Sequence, residues 1–372
     1  MSFRDLVHIK LKELEEPRFD PALSGVRVSC AEKIFPGFNL FDGQLMDARG
    51  QVLKKWKSRY LGLLLPDWRY VAQAHYGSDK WGMYTWDDEV IWEQDFPVHH
   101  DIVLTPRQTI ITLTRETRPY KGRDVDFCVV VEFDLEGREL TRWSTWEHLA
   151  HLQKFHRPLE LDRPRVFFLP EPERRKAGTP RHGHYDYYRL NSFQLLPRTL
   201  LGQEDRRFRQ GNWLISFRHG SMLFILDQDT KKILWHAVDN QVKGRLEGPH
   251  APMMLPNGHI LIFDNGRYRQ WSRLIEIDPR TLRIVWEYSL KNFYSCDQGY
   301  MQKLPNGNLL VTESLRGHVF EITPDKQVVW EYYYHEEVDT TDSVDEKEPG
   351  PWNSIYRMTR YAPDLIDPLL KK

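Results

Sequence analysis

Asp227-Gln-Asp-Thr-Lys-Lys-Ile-Leu-Trp235 returns as Asp278-Pro-Arg-Thr-Leu-Arg-Ile-Val-Trp286 and again as Thr323-Pro-Asp-Lys-Gln-Val-Val-Trp330. Upstream, the phrase reads Asp47-Ala-Arg-Gly-Gln-Val-Leu-Lys-Lys-Trp56, Asp87-Asp-Glu-Val-Ile-Trp92 and Asp134-Leu-Glu-Gly-Arg-Glu-Leu-Thr-Arg-Trp143. Each copy is a polar turn leading into an alternating strand that closes on tryptophan. The tryptophans are 36, 51, 92, 51 and 44 residues apart. All but the longest interval suit a four-stranded blade. Six copies predict an all-β chain, a six-bladed β-propeller whose six tryptophans occupy equivalent positions between blades.

A second phrase gives the register. Leu255-Pro-Asn-Gly258 and Leu304-Pro-Asn-Gly307 are identical hairpin turns, each followed by an apolar strand. Degenerate copies stand at Leu65-Pro66, Thr105-Pro106 and Leu196-Pro197. No such turn follows Trp330, so Asn353–Met358 is expected to be an inner strand whose partners are N-terminal, around Phe38–Trp56. Joining both ends in one blade hides free edges. The expected organisation is an N-terminal extension (1–30), the propeller (31–363) and a C-terminal tail (364–372). The 92-residue interval is assigned to an insertion over 144–186, helical at first and a candidate lid, and 339–350 to an acidic loop.

Composition narrows the function. Lys and Arg total 52 against 53 Asp and Glu, so no basic surplus exists to neutralise a nucleic-acid backbone. No apolar run approaches the ~20 residues of a membrane-spanning helix. Met1–Val7 lacks a basic-then-apolar leader profile, which makes a cytoplasmic protein with no membrane partner the expectation. Three cysteines (Cys30, Cys128, Cys296) cannot form a disulfide framework and are read as small buried side chains. No coiled-coil heptads speak to the oligomeric state.

Propellers carry chemistry on their innermost strands. Six residues before each hairpin proline stand Tyr60, His100, Asn191, His250 and Gly299, positions that the repeat makes equivalent. Two histidines and an asparagine facing one axis exceed what composition supplies. His99, Arg189, His219, Arg218, Asn265, Arg115 and His75 lie near the same strand ends. Arginine supplies a fork of donors, asparagine a neutral donor, and histidine a nucleophile or proton carrier, a set suited to an oxygen-rich anion. The same histidines (His75, His99 or His100, and His250) are alternative ligands for zinc or a transition metal in a lyase, hydrolase or oxygenase. A third reading is a non-catalytic propeller that binds a small molecule or a peptide.

At these residues the chain resembles the bacterial arylsulfate sulfotransferase (arylsulfotransferase-like) family of six-bladed propellers. The resemblance spans about 37–363, and rests on His99-His-Asp-Ile102, Tyr185-Asp-Tyr-Tyr-Arg-Leu-Asn-Ser192, Gly211-Asn-Trp-Leu-Ile-Ser-Phe-Arg-His219, Pro249-His-Ala-Pro-Met-Met-Leu-Pro-Asn-Gly258 and Gly299-Tyr-Met-Gln-Lys-Leu-Pro-Asn-Gly307. It implies a cofactor-free ping-pong reaction that passes a sulfuryl group from an aryl sulfate to a phenol through a histidine. His250 would be the nucleophile, Arg218 would clamp sulfate oxygens, Asn191 would assist, and His100 or His99 would stabilise charge or move a proton. The remaining residues (Arg189, His219, Asn265, His75) would line the small aromatic or sulfated substrate. Arg189 stands where the family often has histidine, and Ala251 where it often has an acidic residue.

Overall fold

The computed structural model describes residues 24–57, 60–74, 79–156, 185–290, 292–334 and 354–370. It is a six-bladed β-propeller, nearly all antiparallel strand, and the chain divides into two compact units. One unit holds residues 56–296 and four blades. Their first strands are Tyr60–Leu64, His99–Leu104, Leu190–Leu195 and His250–Met254, and these lie side by side. Each blade then runs outward strand by strand, ending in Val90–Asp95, Glu139–Ser144, Ile233–Val238 and Arg283–Tyr288.

The other unit joins the two chain ends. Thr359–Tyr361 pairs with Phe38–Phe41, which leads to Gln44–Met46 and Val52–Lys55. The inner strand of this blade therefore begins after Met358, whereas 353–358 was the expectation; residues 354–358 are not strand. A charged residue in mid-strand argues against burial, yet Arg360 is 2% exposed, pairs with buried Glu321, and donates from Nε to Asn39 Oδ1 at 2.8 Å. In the remaining blade, Gly25–Val28 adds a fifth strand against Val328–Tyr333.

The recurrent phrase has a mechanical basis. Its aspartate opens the outer hairpin by accepting backbone N–H groups: Asp47 from Arg49 and Gln51, Asp134 from Glu136 and Arg138, Asp227 from Asp229 and Thr230. Its tryptophan clasps the next blade, because the indole N–H of Trp92, Trp235 and Trp330 donates to the carbonyl one residue after the next blade's aspartate. The acceptors are Leu135 (2.9 Å), Pro279 (2.7 Å) and Ala48 (2.8 Å). Four of the six tryptophans share one position: Trp92, Trp235, Trp286 and Trp330 each follow a bulge in the outer strand. Trp56 and Trp143 depart from the expected equivalence. Lys54 and Thr141 fill that position in their blades, and both tryptophans lie two residues further on, the same face by strand alternation. Trp92 and Trp286 are half-buried, the other four buried.

The hairpin turns form as read. Gly258 (φ +85°) and Gly307 (φ +88°) take the left-handed conformation that glycine favours, and Trp68 and Gln108 adopt it in the degenerate copies. Cys128 and Cys296 are buried as expected, but Cys30 is partly exposed and its thiol donates to Glu32. At the start of the insertion, Phe155 packs on Phe224 and His236, and Gln153 reaches the hydroxyls of Tyr120 and Tyr187. Residues 157–184 of the candidate lid, the acidic loop 339–350 and residues 1–23 of the N-terminal segment lie outside the described residues. No described helix is long and apolar enough to cross a membrane.

Candidate active site

The first strands of all four blades in the larger unit are interrupted near their starts. Register slips at Leu61, at His100 and Asp101, at Asn191, and at Ala251 and Pro252. The bulges fall at different places, so counting back from the proline does not give ladder-equivalent residues. Opposite the fourth residue of the second strand (Gln73, Leu113, Ser216, Phe263) stand Tyr60, His99, Ser192 and His250. His99, rather than His100, is thus the ladder counterpart of His250. Bulges re-aim side chains, and in His99–Leu104 and Leu190–Leu195 they fall among polar residues.

His250 is 3% exposed and clamped from its neighbours. The Pro249 carbonyl before it accepts from Asn191 Nδ2 and Ser216 Oγ, both at 2.8 Å. The Ala251 N–H after it donates to Ser192 Oγ at 2.8 Å. Ala251 has φ +43°, a left-handed conformation that a small side chain tolerates best. The ring meets Gly248 O at 2.9 Å and Asn265 Oδ1 at 2.7 Å, both through Nδ1. Two acceptors on one nitrogen fix Nδ1 as the N–H, so in the neutral ring Nε2 keeps the lone pair.

His99 and His100 form a pair, with Nδ1 to Nδ1 at 2.6 Å and rings nearly perpendicular. One must donate to the other, so together they carry one Nε2–H and one Nε2 lone pair. Both keep some accessible surface although protein surrounds them, as in a concave site. Burial, then the Arg115 and Arg189 guanidiniums, pull His99 down to about 3. His100 is held well below its usual range by burial, then by His99, Arg189, His250 and Arg218. Both are neutral at neutral pH. Four of the expected residues, His99, Arg189, His250 and Arg218, lie near enough to His100 to influence its protonation.

The two arginines are linked through the backbone, Arg218 N donating to Arg189 O at 3.0 Å. Arg189 sits at φ +53° and pairs with Asp186 at 3.1 Å, while Arg115 lies 3.9 Å from Asp126. His219, expected against substrate, instead has its Nδ1 on the Asp186 and Tyr187 carbonyls, 3.0 and 3.3 Å away, and steadies the loop that carries Arg189. Asn191 is committed to the Pro249 carbonyl, and Asn265 to His250 and Ser295. Asp101, beside His100, faces the next blade and accepts from Phe193 N. His75 lies outside the described residues. Among those described, no three His, Cys, Asp or Glu group to hold a metal ion. Sequence reasoning missed Ser192 and Ser216; the adjacency of Ser192 to Asn191 was its only signal.

The sequence matches the profile of the arylsulfotransferase (ASST) family over residues 76–335, a span that includes every described site residue. The chain belongs to the arylsulfotransferase family. That membership supports sulfuryl transfer as the general reaction. No curated protein matches the chain by sequence. Among solved structures, a protein of unknown function from Bacteroides caccae superimposes with a TM-score of 0.50 at 12% identity, covering 87% of this chain and 98% of that one. A streptogramin B lyase structure aligns with a TM-score of 0.43 at 9% identity, over 86% and 90% of the two chains. Virginiamycin B lyase from Staphylococcus aureus gives 0.40 at 9% identity, over 75% and 71%. At these identities the first is a likeness of fold.

Proposed function

We propose that this arylsulfotransferase-family protein moves a sulfuryl group from an aryl sulfate to a phenolic acceptor through a sulfohistidine on His250. The observation that carries the reading is the fixed tautomer of His250, whose Nε2 keeps the lone pair. In the first half-reaction Nε2 attacks sulfur, the N–S bond forms, and the S–O bond to the aryl group breaks with its electrons leaving as phenolate. The ring then carries a positive charge balanced by its sulfonate, and Nδ1–H keeps its two acceptors. In the second half-reaction the acceptor phenol gives its proton to the neutral His99–His100 pair, its oxygen attacks sulfur, and the N–S bond breaks. The atoms balance without a metal or redox cofactor.

The chain's residues supply positioning and charge. Arg218 grips the sulfonate oxygens with a planar fork, which matters because a loose sulfuryl transition state leaves charge on peripheral oxygens. Because the paired histidines are weak bases, they take the phenol's proton only as its oxygen bonds to sulfur and becomes strongly acidic, and they release it to solvent afterwards. Asn191, Ser192 and Ser216 hold the backbone on either side of the nucleophile, so their contribution is to orientation. The test is 4-nitrophenyl sulfate with a phenol acceptor, in wild type and His250→Asn. Wild type should turn over, and a donor labelled with radioactive sulfur should leave label on His250 after a quench. Full activity in His250→Asn overturns the reading.

A further inference from the structure

We infer that Asn265 is the positioning residue of the site: it holds His250 as the Nδ1–H tautomer without adding charge, and so keeps Nε2 nucleophilic. This rests on the sulfuryl-transfer reading for its kinetic consequence, but not for the tautomer itself. The amide's direction is set by two carbonyls. Asn265 Nδ2 donates to Ser295 O at 2.7 Å, which turns Oδ1 toward His250 at 2.7 Å. Rotating the amide by half a turn would set its oxygen against the Ser295 carbonyl. It would also demand a lone pair on Nδ1, where Gly248 O at 2.9 Å requires a proton. Both bonds hold only in the arrangement seen.

The support is rigid and dry. Asn265, Ser272 and Ser295 have no exposed surface. Ser272 Oγ donates to Asn265 O at 2.8 Å, and Ser295 N donates back to Ser272 Oγ at 3.0 Å, closing the loop around the amide. Asn265 follows the strand Ile260–Asp264, in which Phe263 pairs with His250, so the contact is built by strand register.

A neutral partner differs in kind from a carboxylate. An aspartate here would fix the same tautomer but favour the imidazolium, whose Nε2–H cannot attack. His250 and the Arg189 and Arg218 guanidiniums all act on neighbouring His100. Nearby Asp264 is closed within its own cluster, with Arg273 at 2.9 Å and Arg269 at 3.0 Å. An amide is therefore the group that orients the ring while leaving it neutral in a cationic setting.

Two variants separate orientation from bulk structure. Asn265→Asp keeps an acceptor for Nδ1–H but turns its second oxygen against the Ser295 carbonyl, so its maximal rate should fall, though less than that of Asn265→Leu. Its acidic limb should move up by about 1–3 pH units, because the ring must lose a proton before it attacks. Asn265→Leu fills the space without an acceptor and should lower kcat by at least about 100-fold with little change in KM for the donor. Nitrogen-15 spectra of imidazole-labelled protein, with the His250 signals assigned by their loss in His250→Asn, give a readout independent of turnover. Wild type should show a protonated Nδ1 and an unprotonated Nε2, and Asn265→Leu should mix the tautomers. An Nε2–H form in wild type, or an Asn265→Leu variant with wild-type tautomer and kcat, overturns the inference. If wild type transfers no sulfuryl group, the spectra still decide the tautomer, and only the functional reading falls.

Discussion

Trp235 and Trp143 allow the blade-to-blade clasp to be isolated from ordinary burial. Both are buried outer-strand tryptophans, 6% and 3% exposed. Trp235 Nε1 donates to the Pro279 carbonyl of the next blade at 2.7 Å. Trp143 Nε1 is equally buried and has no hydrogen-bond partner among the described residues. Replacing each by phenylalanine removes a similar part of the indole, so packing and transfer losses nearly cancel when the two variants are compared. What remains is polar. Trp235→Phe strands a buried carbonyl, at about 1–3 kcal/mol, whereas Trp143→Phe removes a buried unsatisfied donor and regains a similar amount. Trp235→Phe should therefore be the less stable variant by about 2–6 kcal/mol. Urea denaturation of the full chain, followed by far-ultraviolet circular dichroism with m held common, measures the difference. Equal midpoints would refute the clasp as a stabilising contact and leave the recurrent tryptophan as a matter of bulk alone.

Other perturbations probe the site and the two-ended blade. Arg218→Lys should lower kcat severely in the 4-nitrophenyl sulfate assay, since an ammonium cannot reproduce a two-point grip on an oxyanion; near-wild-type turnover would remove Arg218 from the chemistry. Arg360→Met leaves Glu321 buried beside Asn308 and the Phe35 N–H, and should cost about 3–5 kcal/mol by urea denaturation. A loss below about 1 kcal/mol would show that the pair is dispensable. His318 lies between Glu313 (3.0 Å) and Glu331 (3.1 Å); burial opposes its protonation, but the two carboxylates outweigh it and raise its basicity. Its folded value exceeds the unfolded one of about 6.5, so its contribution is complete below that pH and fades as pH rises through the folded value. Wild type should lose urea resistance above about pH 6.5 relative to His318→Gln, and parallel pH profiles would reject this account.

The parts of the fold legible in sequence were those in which one residue does a local job. Aspartate builds the outer hairpin at Asp47, Asp134 and Asp227, and glycine or its substitutes take the left-handed turn position. These signals need no knowledge of the partner. The positions misread depend on partners far away in sequence. Trp56 and Trp143 satisfy the same alternation from two residues further along, so periodicity cannot separate them from Trp92 or Trp235. Arg360 is buried against a carboxylate, Glu321, that stands 39 residues earlier. His250 and His100 could be singled out by repeat arithmetic, but their chemistry could not, since it depends on which ring nitrogen meets which acceptor.

The bulges tie these observations to function. An unbroken strand alternates strictly, so every second residue of a first strand would face one side and its neighbours the other. The site asks more of these strands than alternation allows. Asp101 and Ser192 must face the next blade, where they accept from Phe193 N and Ala251 N. The residues beside them, His100 and Asn191, must at the same time serve the site and its backbone clamp. An extra residue in each strand permits both, at the cost of ladder bonds and of left-handed conformations at His100 and Ala251. Those strained positions lie beside the proposed nucleophile and within the paired histidines, where strain is tolerated because several hydrogen bonds over-determine the backbone. The result is a histidine whose neighbouring carbonyl, neighbouring N–H and own Nδ1 are each held by a named partner, as the proposed nucleophile requires.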